Sequence, residues 1–218
     1  LAAVVIVASL SLADIPGMRR LWRQRKSEFA LAVAAFLGVA FLGVLPGIAV
    51  AVTLSILWVF RQAWDPYRTT LVDVPDVPGY HDNTMYPDAE QIPGLVIYRF
   101  DGPLIFANAN TFKAEIRHLA HADPPPAWII VAAEPITSVD TTAAEMLEEL
   151  DAELGARGIN FVFAEMKDAV RNEIRNYGMT WIAESDAFYP TIGTAVKAYR
   201  QLTGIPKPGH EPGHDPRP

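Results

Sequence analysis

The residues of this chain whose types are best suited to chemistry are Asp140, Thr141 and Thr142, within VDTTAAEMLEEL (139–150). A hydroxyl at the start of a helix can be phosphorylated, or it can accept hydrogen bonds from the free amides of the first turn. Thr142 with Glu145 three residues later has the T-x-x-E pattern of a capping box, worth about 1 kcal/mol. Asp140 beside them complements the helix dipole. We therefore predict that these residues begin an acidic helix, and capping alone accounts for their composition.

The other clusters of reactive side chains do not form a catalytic constellation. His118 and His121 have a spacing that can bind a metal on a helix, but no third ligand accompanies them, so we predict solvated histidines and no metal site. Between positions 145 and 153, five acids alternate with apolar residues, as on the exposed face of a helix: Glu145, Glu148, Glu149, Asp151 and Glu153. With no glycine-rich phosphate loop and no nucleophile elbow, the sequence predicts neither an enzyme nor a cofactor.

Charge is divided unevenly along the chain. Residues 1–68 contain 7 Lys/Arg and 3 Asp/Glu, whereas residues 69–218 contain 11 and 22, which together give the totals of 18 and 25. Proteins that bind nucleic acid concentrate basic residues on one face, so the acidic second part argues against nucleic acid as a partner. The absence of cysteine excludes disulfides and thiolate chemistry.

Residues 29–60 carry no charged side chain, and the chain also begins inside an apolar run, LAAVVIVASLSL. This composition is typical of membrane spans, and we expect the chain to be the C-terminal piece of a longer membrane protein. As one helix, the 29–60 stretch would be about 50 Å long, against about 30 Å for the hydrocarbon core. Pro46-Gly47 supplies a break. The sequence therefore predicts a broken helical hairpin with spans at 29–45 and 47–61.

Basic residues set the predicted orientation of these spans. Five of them crowd positions 19–26, and Arg61 and Arg68 follow the last span, so the positive-inside rule places residues 13–27 and 61–218 in the cytoplasm. Small residues throughout the hairpin permit close helix contacts in lipid. Because the hairpin has no ionisable residue, we expect it to be scaffold rather than an ion pathway.

Residues 69–205 have the pattern of an α/β domain. Continuous apolar strands, AWIIVAA and INFVFAEM, alternate with amphipathic helices at 110–120, 142–154, 168–177 and 191–202. Such strands are buried on both faces, which indicates a mixed sheet covered by helices. LVIYRF and PLIFANA are expected to pair through an Asp101-Gly102 turn, and residues 69–94 to be mostly loop with one short strand, TLVDV. The tail, 206–218, is predicted to be disordered.

The order of these motifs resembles the C-terminal part of a SulP-family inorganic anion transporter. The motifs are the LPG-interrupted hairpin, PGLVIYRFDGPLIFANANTFK, the buried strand, VDTTAAEMLEEL and RGINFVFAEMKDAVRNEI, and they cover the chain apart from its tail. Members join their last transmembrane helices and a basic loop, here 1–68, to a cytoplasmic STAS domain, here 69–205. The resemblance implies a sulfate-carrying protein of the plasma or inner membrane. It also implies that the anion site lies upstream, so no transport residue is assigned to this chain.

The resemblance extends to regulation and partners. In the anti-sigma-factor antagonists, which share the STAS fold, a serine after an aspartate at this junction is phosphorylated, and Thr141 takes that position here, between Asp140 and Thr142. The lipid bilayer and the rest of the transporter are the implied partners. A homodimer, and a regulatory protein or nucleotide at the STAS domain, stay open. The alternative function is a membrane-tethered STAS signalling module that binds partner proteins without transport activity.

Overall fold

A computed structural model describes residues 14–75, 77–178 and 187–205. The first apolar run and the predicted disordered tail, 206–218, lie outside these residues. The chain falls into two compact units, which divide between Gln62 and Ala63, ahead of the predicted limit at residue 68.

The first unit is helical. Its helices are α1 (Ile15–Gln24), α2 (Lys26–Leu42) and α3 (Val44–Trp64), the last of which ends two residues into the second unit. α1 begins where the Asp14 side chain accepts a hydrogen bond from Gly17 N at 2.9 Å. Among the described residues, α3 is the helix whose length and composition would let it cross a membrane. α2 is a shorter apolar helix of 17 residues.

The break between α2 and α3 lies at Gly43, so the predicted break at Pro46-Gly47 is wrong. Gly43 has φ of +91°, a conformation that glycine adopts without a Cβ clash. Pro46 lies in the first turn of α3, where helical amides have no carbonyl partner and the missing N–H costs little. Gly47 instead allows a close approach, because a Cβ on it would lie 2.4 Å from Val39 N. Small residues thus permit the helix contact that the sequence predicts.

The second unit contains a six-stranded mixed sheet, as predicted. Its strands are β1 (Tyr67–Asp73), β2 (Tyr80–Asp82), β3 (Leu95–Asp101), β4 (Trp128–Ala132), β5 (Asn160–Ala164) and β6 (Phe188–Tyr189), in the spatial order β2-β1-β3-β4-β5-β6. β1 is antiparallel to β2 and β3. The strands from β3 to β6 are parallel to one another.

Helices cover both faces of this sheet. They are α4 (Ala109–Ala120), α5 (Thr141–Ala156), α6 (Asp168–Asn176) and α7 (Ile192–Thr203). Successive residues of β4 point to opposite faces, so Ile129 packs with the buried residues of α4, α5 and α6, whereas Ile130 packs with those of α7. Both strand faces are therefore buried, which explains why β4 is an unbroken apolar run.

Two details of the predicted sheet are wrong. PLIFANA is not a strand paired with β3; Leu104 forms only one parallel bridge, to Val139. Pro103 has no N–H to donate, and the chain turns away from β3 there. In addition, residues 69–94 contain the larger part of β1, which begins at Tyr67, and all of β2, which begins at Tyr80.

Candidate functional site

The candidate site lies where the loop after β3 runs beside the residues that lead into α5. Leu104 N donates to Ser138 O at 2.9 Å, and Asp140 N donates to Leu104 O at 3.2 Å. Val139 N donates to Glu173 Oε2 of α6 at 3.0 Å. The start of α5 is thus held on two sides by segments distant in the sequence.

Asp140 is the N-cap of α5, and its carboxylate has two different partners. Oδ1 accepts from Ala143 N at 2.8 Å, which satisfies a free amide of the first turn. Oδ2 accepts from Phe106 N at 2.7 Å, in the loop after β3. The negative charge also lies at the positive end of the helix dipole. One carboxylate therefore stabilises the helix start and binds it to the neighbouring loop.

Thr142 is not the cap, so the predicted T-x-x-E capping box is wrong. α5 begins at Thr141, one residue earlier than expected, and Thr142 is an exposed residue of its first turn. Asp140 occupies the cap position because its backbone is extended (φ −83°, ψ 172°) and its carboxylate reaches Ala143 N. The capping box of the described chain is found at α7, where Thr191 and Thr194 bond each other's amides reciprocally.

Thr141 is the first residue of α5 and its side chain is exposed. It follows directly after Asp140, whose carboxylate bonds the backbone of Phe106. The Phe106 side chain is 61% exposed, which is unusual for a large aromatic residue. The start of α5 thus combines an exposed threonine with a carboxylate that bonds the backbone of an exposed aromatic residue. The hydroxyl is accessible from solvent, as a phospho-acceptor must be.

Asn108 is a polar residue of this region that the sequence analysis missed. It is fully buried. Its Oδ1 accepts from Ile105 N at 2.9 Å, and its Nδ2 donates to Pro103 O at 2.9 Å and to Ala63 O at 3.0 Å. It precedes α4 but makes no side-chain cap there. The only signal in the sequence was an asparagine just before a predicted helix, which indicates a cap instead.

A row of polar contacts holds α5 against α4. Lys113 Nζ bonds Glu149 Oε2 at 2.5 Å, and one turn further along both helices Arg117 Nη2 bonds Glu153 Oε2 at 2.6 Å. The hydrogen bonds from these cations hold the pKa of each glutamate below its usual range. These pairs are exposed, so we attribute helix alignment to them rather than much stability.

Both candidate metal histidines, His118 and His121, are exposed. His121 Nδ1 lies 2.6 Å from Arg117 O and 3.2 Å from Arg157 Nη1. Within the described ranges, no group of three His, Cys, Asp or Glu residues is arranged to hold a metal ion.

A second concave site lies at the carboxyl ends of β3, β4 and β5. It is a cleft of about 440 Å³ whose lining includes Arg99, Glu134 and Glu165. Open α/β sheets bind ligands at this edge. Glu165 has a left-handed backbone (φ 63°), and its Oε1 accepts from Ile192 N at the start of α7, at 3.3 Å. The lining of the cleft therefore combines apolar residues with charges of both signs.

Known proteins are similar to this chain over both of its units. The STAS domain family matches residues 86–195. A protein of Mycobacterium tuberculosis named "Probable sulfate transporter" is 40% identical over 202 residues, which are 92% of this chain and 36% of that protein. Sulfate transporter 1.1 of Arabidopsis thaliana is 30% identical over 207 residues, 90% of this chain and 32% of its own.

A solved structure has the same architecture. Murine Solute Carrier 26 family member A9, an anion transporter in the inward-facing state, matches with a TM-score of 0.77 and 27% identity, over 89% of this chain and 31% of that one. The chain belongs to the STAS domain family, and its sulfate transporter relatives match the helical unit as well. This confirms the resemblance to SulP-type transporters and the fold class. The chain spans about a third of the length of these relatives.

Proposed function

We propose that this chain is the C-terminal portion of a secondary inorganic anion transporter that carries sulfate, with a STAS domain that regulates or assembles it. One observation carries the proposal. The match to sulfate transporters covers 92% of the chain, so it includes the apolar helices as well as the STAS domain. A signalling module that needed only a tether would not require this likeness across the helices.

The helical unit has the composition of scaffold. No ionisable residue lies between positions 29 and 60, whereas intramembrane charges mark ion and substrate pathways. The proposal therefore assigns the anion site to no residue of this chain. It also assigns no enzymatic step and no cofactor.

Regulation is proposed to act through Thr141. A phosphate there adds nearly two negative charges beside Asp140 and offers acceptor oxygens to the amides of the first turn of α5. The phosphate would repel the Asp140 carboxylate and would compete with it for the amides of the first turn. Both effects would weaken the hydrogen bond from Phe106 N to Asp140 Oδ2. The loop that contains Phe106 also contains Asn108, which bonds Ala63 O in the last turn of α3. A charge change at Thr141 would thus reach Ala63, at the start of the second unit, through two hydrogen-bonded residues.

The proposal includes membrane placement and partners. Integral insertion with the STAS domain in the cytoplasm is supported by the arginines that flank the hairpin. The exposed ring of Phe106, whose backbone amide bonds Asp140, suits a regulatory protein or a second copy of the chain. The cleft at the carboxyl ends of β3, β4 and β5 is the proposed place for a nucleotide, because open α/β sheets bind ligands at this edge.

Transport is tested with the full-length protein that contains this chain. Reconstituted in liposomes, it is expected to take up radiolabelled sulfate saturably, and excess unlabelled sulfate is expected to suppress the signal. Protein-free liposomes are the control. Sulfate uptake no greater than in the control would favour the tethered module instead.

Orientation is tested separately by labelling. The chain has no cysteine, so Gln24→Cys and Gln62→Cys each provide a single reactive site. In sealed vesicles of known sidedness, both positions are expected to react with an impermeant reagent from the cytoplasmic side. Reaction from opposite sides would contradict the hairpin.

A further inference from the structure

The helix α1 has two chemically different faces. At 3.6 residues per turn, Ile15, Met18, Leu21 and Trp22 fall within an arc of about 120°, and Arg19, Arg20, Arg23 and Gln24 within an arc of about 140° on the other side. None of its residues is buried in the described structure; Ile15 is 61% exposed and Trp22 is 54% exposed. An apolar face of this kind has a cost in water unless something covers it.

The three arginines of α1 have no acidic partner within the part of the chain that the structure describes. The contrast with the next arginine is clear, because Arg25 forms an ion pair with Glu28 at 2.9 Å. Together with Ile15, Pro16 and Gln24, these three arginines line a shallow depression of about 510 Å³. Three unneutralised guanidinium groups along one side of a short helix favour a polyanionic surface.

A ring contact fixes the direction in which the apolar face of α1 points. Trp22 meets Phe29 edge to face, with 5.0 Å between the ring centroids. Phe29 is the first residue of the uncharged 29–60 stretch, where α2 enters the hydrocarbon region under the proposed function. The apolar face of α1 therefore lies at the level where the bilayer begins, and tryptophan is enriched at that level.

We propose that α1 lies in the bilayer interface, with its apolar face towards the acyl chains, and that Arg19, Arg20 and Arg23 bind the phosphates of anionic phospholipids. Basic amphipathic helices with tryptophan bind membranes in this orientation. Arg19 lies at the edge of the polar arc next to the apolar arc, so its aliphatic stem covers apolar surface while its guanidinium group reaches headgroups. The inference rests on the membrane placement in the proposed function, and does not depend on transport.

Single spin labels can test this placement, because the chain contains no cysteine. Met18→Cys labels the apolar arc and Gln24→Cys the polar arc. The chain is reconstituted in nanodiscs of phosphatidylcholine alone or mixed with phosphatidylglycerol. Collisions with oxygen report the hydrocarbon region, and collisions with a water-soluble nickel chelate report water. With phosphatidylglycerol present, the label at position 18 is expected to meet oxygen and to be shielded from nickel, and the label at position 24 to show the reverse.

The arginines are tested by charge removal. We compare the fraction of the label at position 18 that lies in lipid (docked) with the fraction in water (undocked). Each of the changes Arg19→Gln, Arg20→Gln and Arg23→Gln is expected to lower this ratio by about fivefold. The matched control removes three exposed basic residues of the STAS domain, Lys167→Gln, Arg175→Gln and Lys197→Gln, and is expected to leave the ratio unchanged. Inorganic phosphate added to phosphatidylcholine nanodiscs is expected not to replace phosphatidylglycerol.

Three results would overturn the proposal. A label at position 18 that neither reagent reaches would mean that protein, not lipid, covers α1. A label that nickel reaches equally in both lipid mixtures would place α1 in water. A full response to phosphatidylglycerol after removal of the three arginines would exclude them as the lipid ligands. A docked α1 in a protein that takes up no sulfate would contradict only the transport function.

Discussion

The starts of α5 and α7 meet the same physical requirement with partners at different distances along the chain. Each helix exposes amides in its first turn that need acceptors. At α7, Thr191 and Thr194 satisfy each other's amides within one turn, and Glu165 adds a longer bond of 3.3 Å to Ile192 N. At α5, the carboxylate of Asp140 is shared between Ala143 in the helix and Phe106, which lies 34 residues earlier.

The difference determines what each helix start can transmit. A change in the local threonine pair at α7 affects mainly the first turn of that helix. A change at Asp140 also alters the loop that contains Phe106, and the buried Asn108 anchors that loop to Ala63 at the start of the second unit. Of these two helix starts, α5 therefore joins its cap to a distant segment through a short hydrogen bond, whereas the bond from Ile192 N to Glu165 at α7 is longer.

The largest effect is expected for the anchor of that loop, Asn108→Ala. This change leaves Ile105 N and the carbonyls of Pro103 and Ala63 without their partner, and unpaired polar groups in a buried site are costly. We expect a loss of about 3 kcal/mol in the free energy of unfolding. The measurement is urea denaturation of the second unit, Ala63–Pro218, expressed alone. Asn110→Ala, at an exposed position in the same segment, is the matched control, and equal stability of the two variants would contradict the anchor.

A smaller effect is expected for Asp140→Ala. Loss of the cap costs about 1 kcal/mol, and the exposed Phe106 amide finds water as a substitute. Asp140→Asn keeps one side-chain oxygen, which can still accept from Ala143 N, so this variant is expected to retain the cap. Hydrogen exchange separates the two bonds: Ala143 N should stay protected in Asp140→Asn, while Phe106 N should exchange faster than in the wild type. Unchanged exchange at Phe106 would show that the second bond is not formed in solution.

The main elements of the fold were predictable because their signals are local. β4 and β5 are continuous apolar runs, and the helices have apolar residues at helical spacing. The errors occurred where local patterns compete. PLIFANA has strand-like residues, but Pro103 prevents pairing with β3. Gly43 forms the break between α2 and α3, since Pro46 is readily accommodated in a first helical turn.

The candidate site was only partly predictable, for a related reason. Asp140 and Thr141 could be assigned to a helix start from their residue types. The T-x-x-E pattern predicts a cap at Thr142 and hence a helix that begins two residues later than the observed one, and boundaries of this kind are the least certain feature of a sequence. The role of Asn108 depends on a carbonyl 45 residues away, which no local pattern contains.

Two threonine substitutions compare the helix starts directly. Thr191→Ala removes the acceptor for Thr194 N and is expected to cost about 1 kcal/mol. Thr142→Ala removes an exposed side chain that caps nothing and is expected to change stability by less than about 0.5 kcal/mol. Both are measured by denaturation of the same unit. If Thr142→Ala cost more stability than Thr191→Ala, Thr142 would be the cap of α5 in solution, and Asp140 would not.

The smallest effect on stability, and the most informative one, is expected for Thr141→Glu. A negative charge at a helix start gains about 0.3–1 kcal/mol, but Asp140 beside it repels that charge, so we expect a net change within about 0.5 kcal/mol. The same repulsion acts on the carboxylate that holds Phe106 N, so exchange at this amide should become faster. The glutamine of Thr141→Gln has nearly the same shape as the glutamate of Thr141→Glu but is neutral, so this variant should leave hydrogen exchange at Phe106 N unchanged. In the full-length protein, Thr141→Glu should alter sulfate uptake and Thr141→Gln should not. If the two variants were equal in both exchange and uptake, Thr141 would be part of a helix start and nothing more.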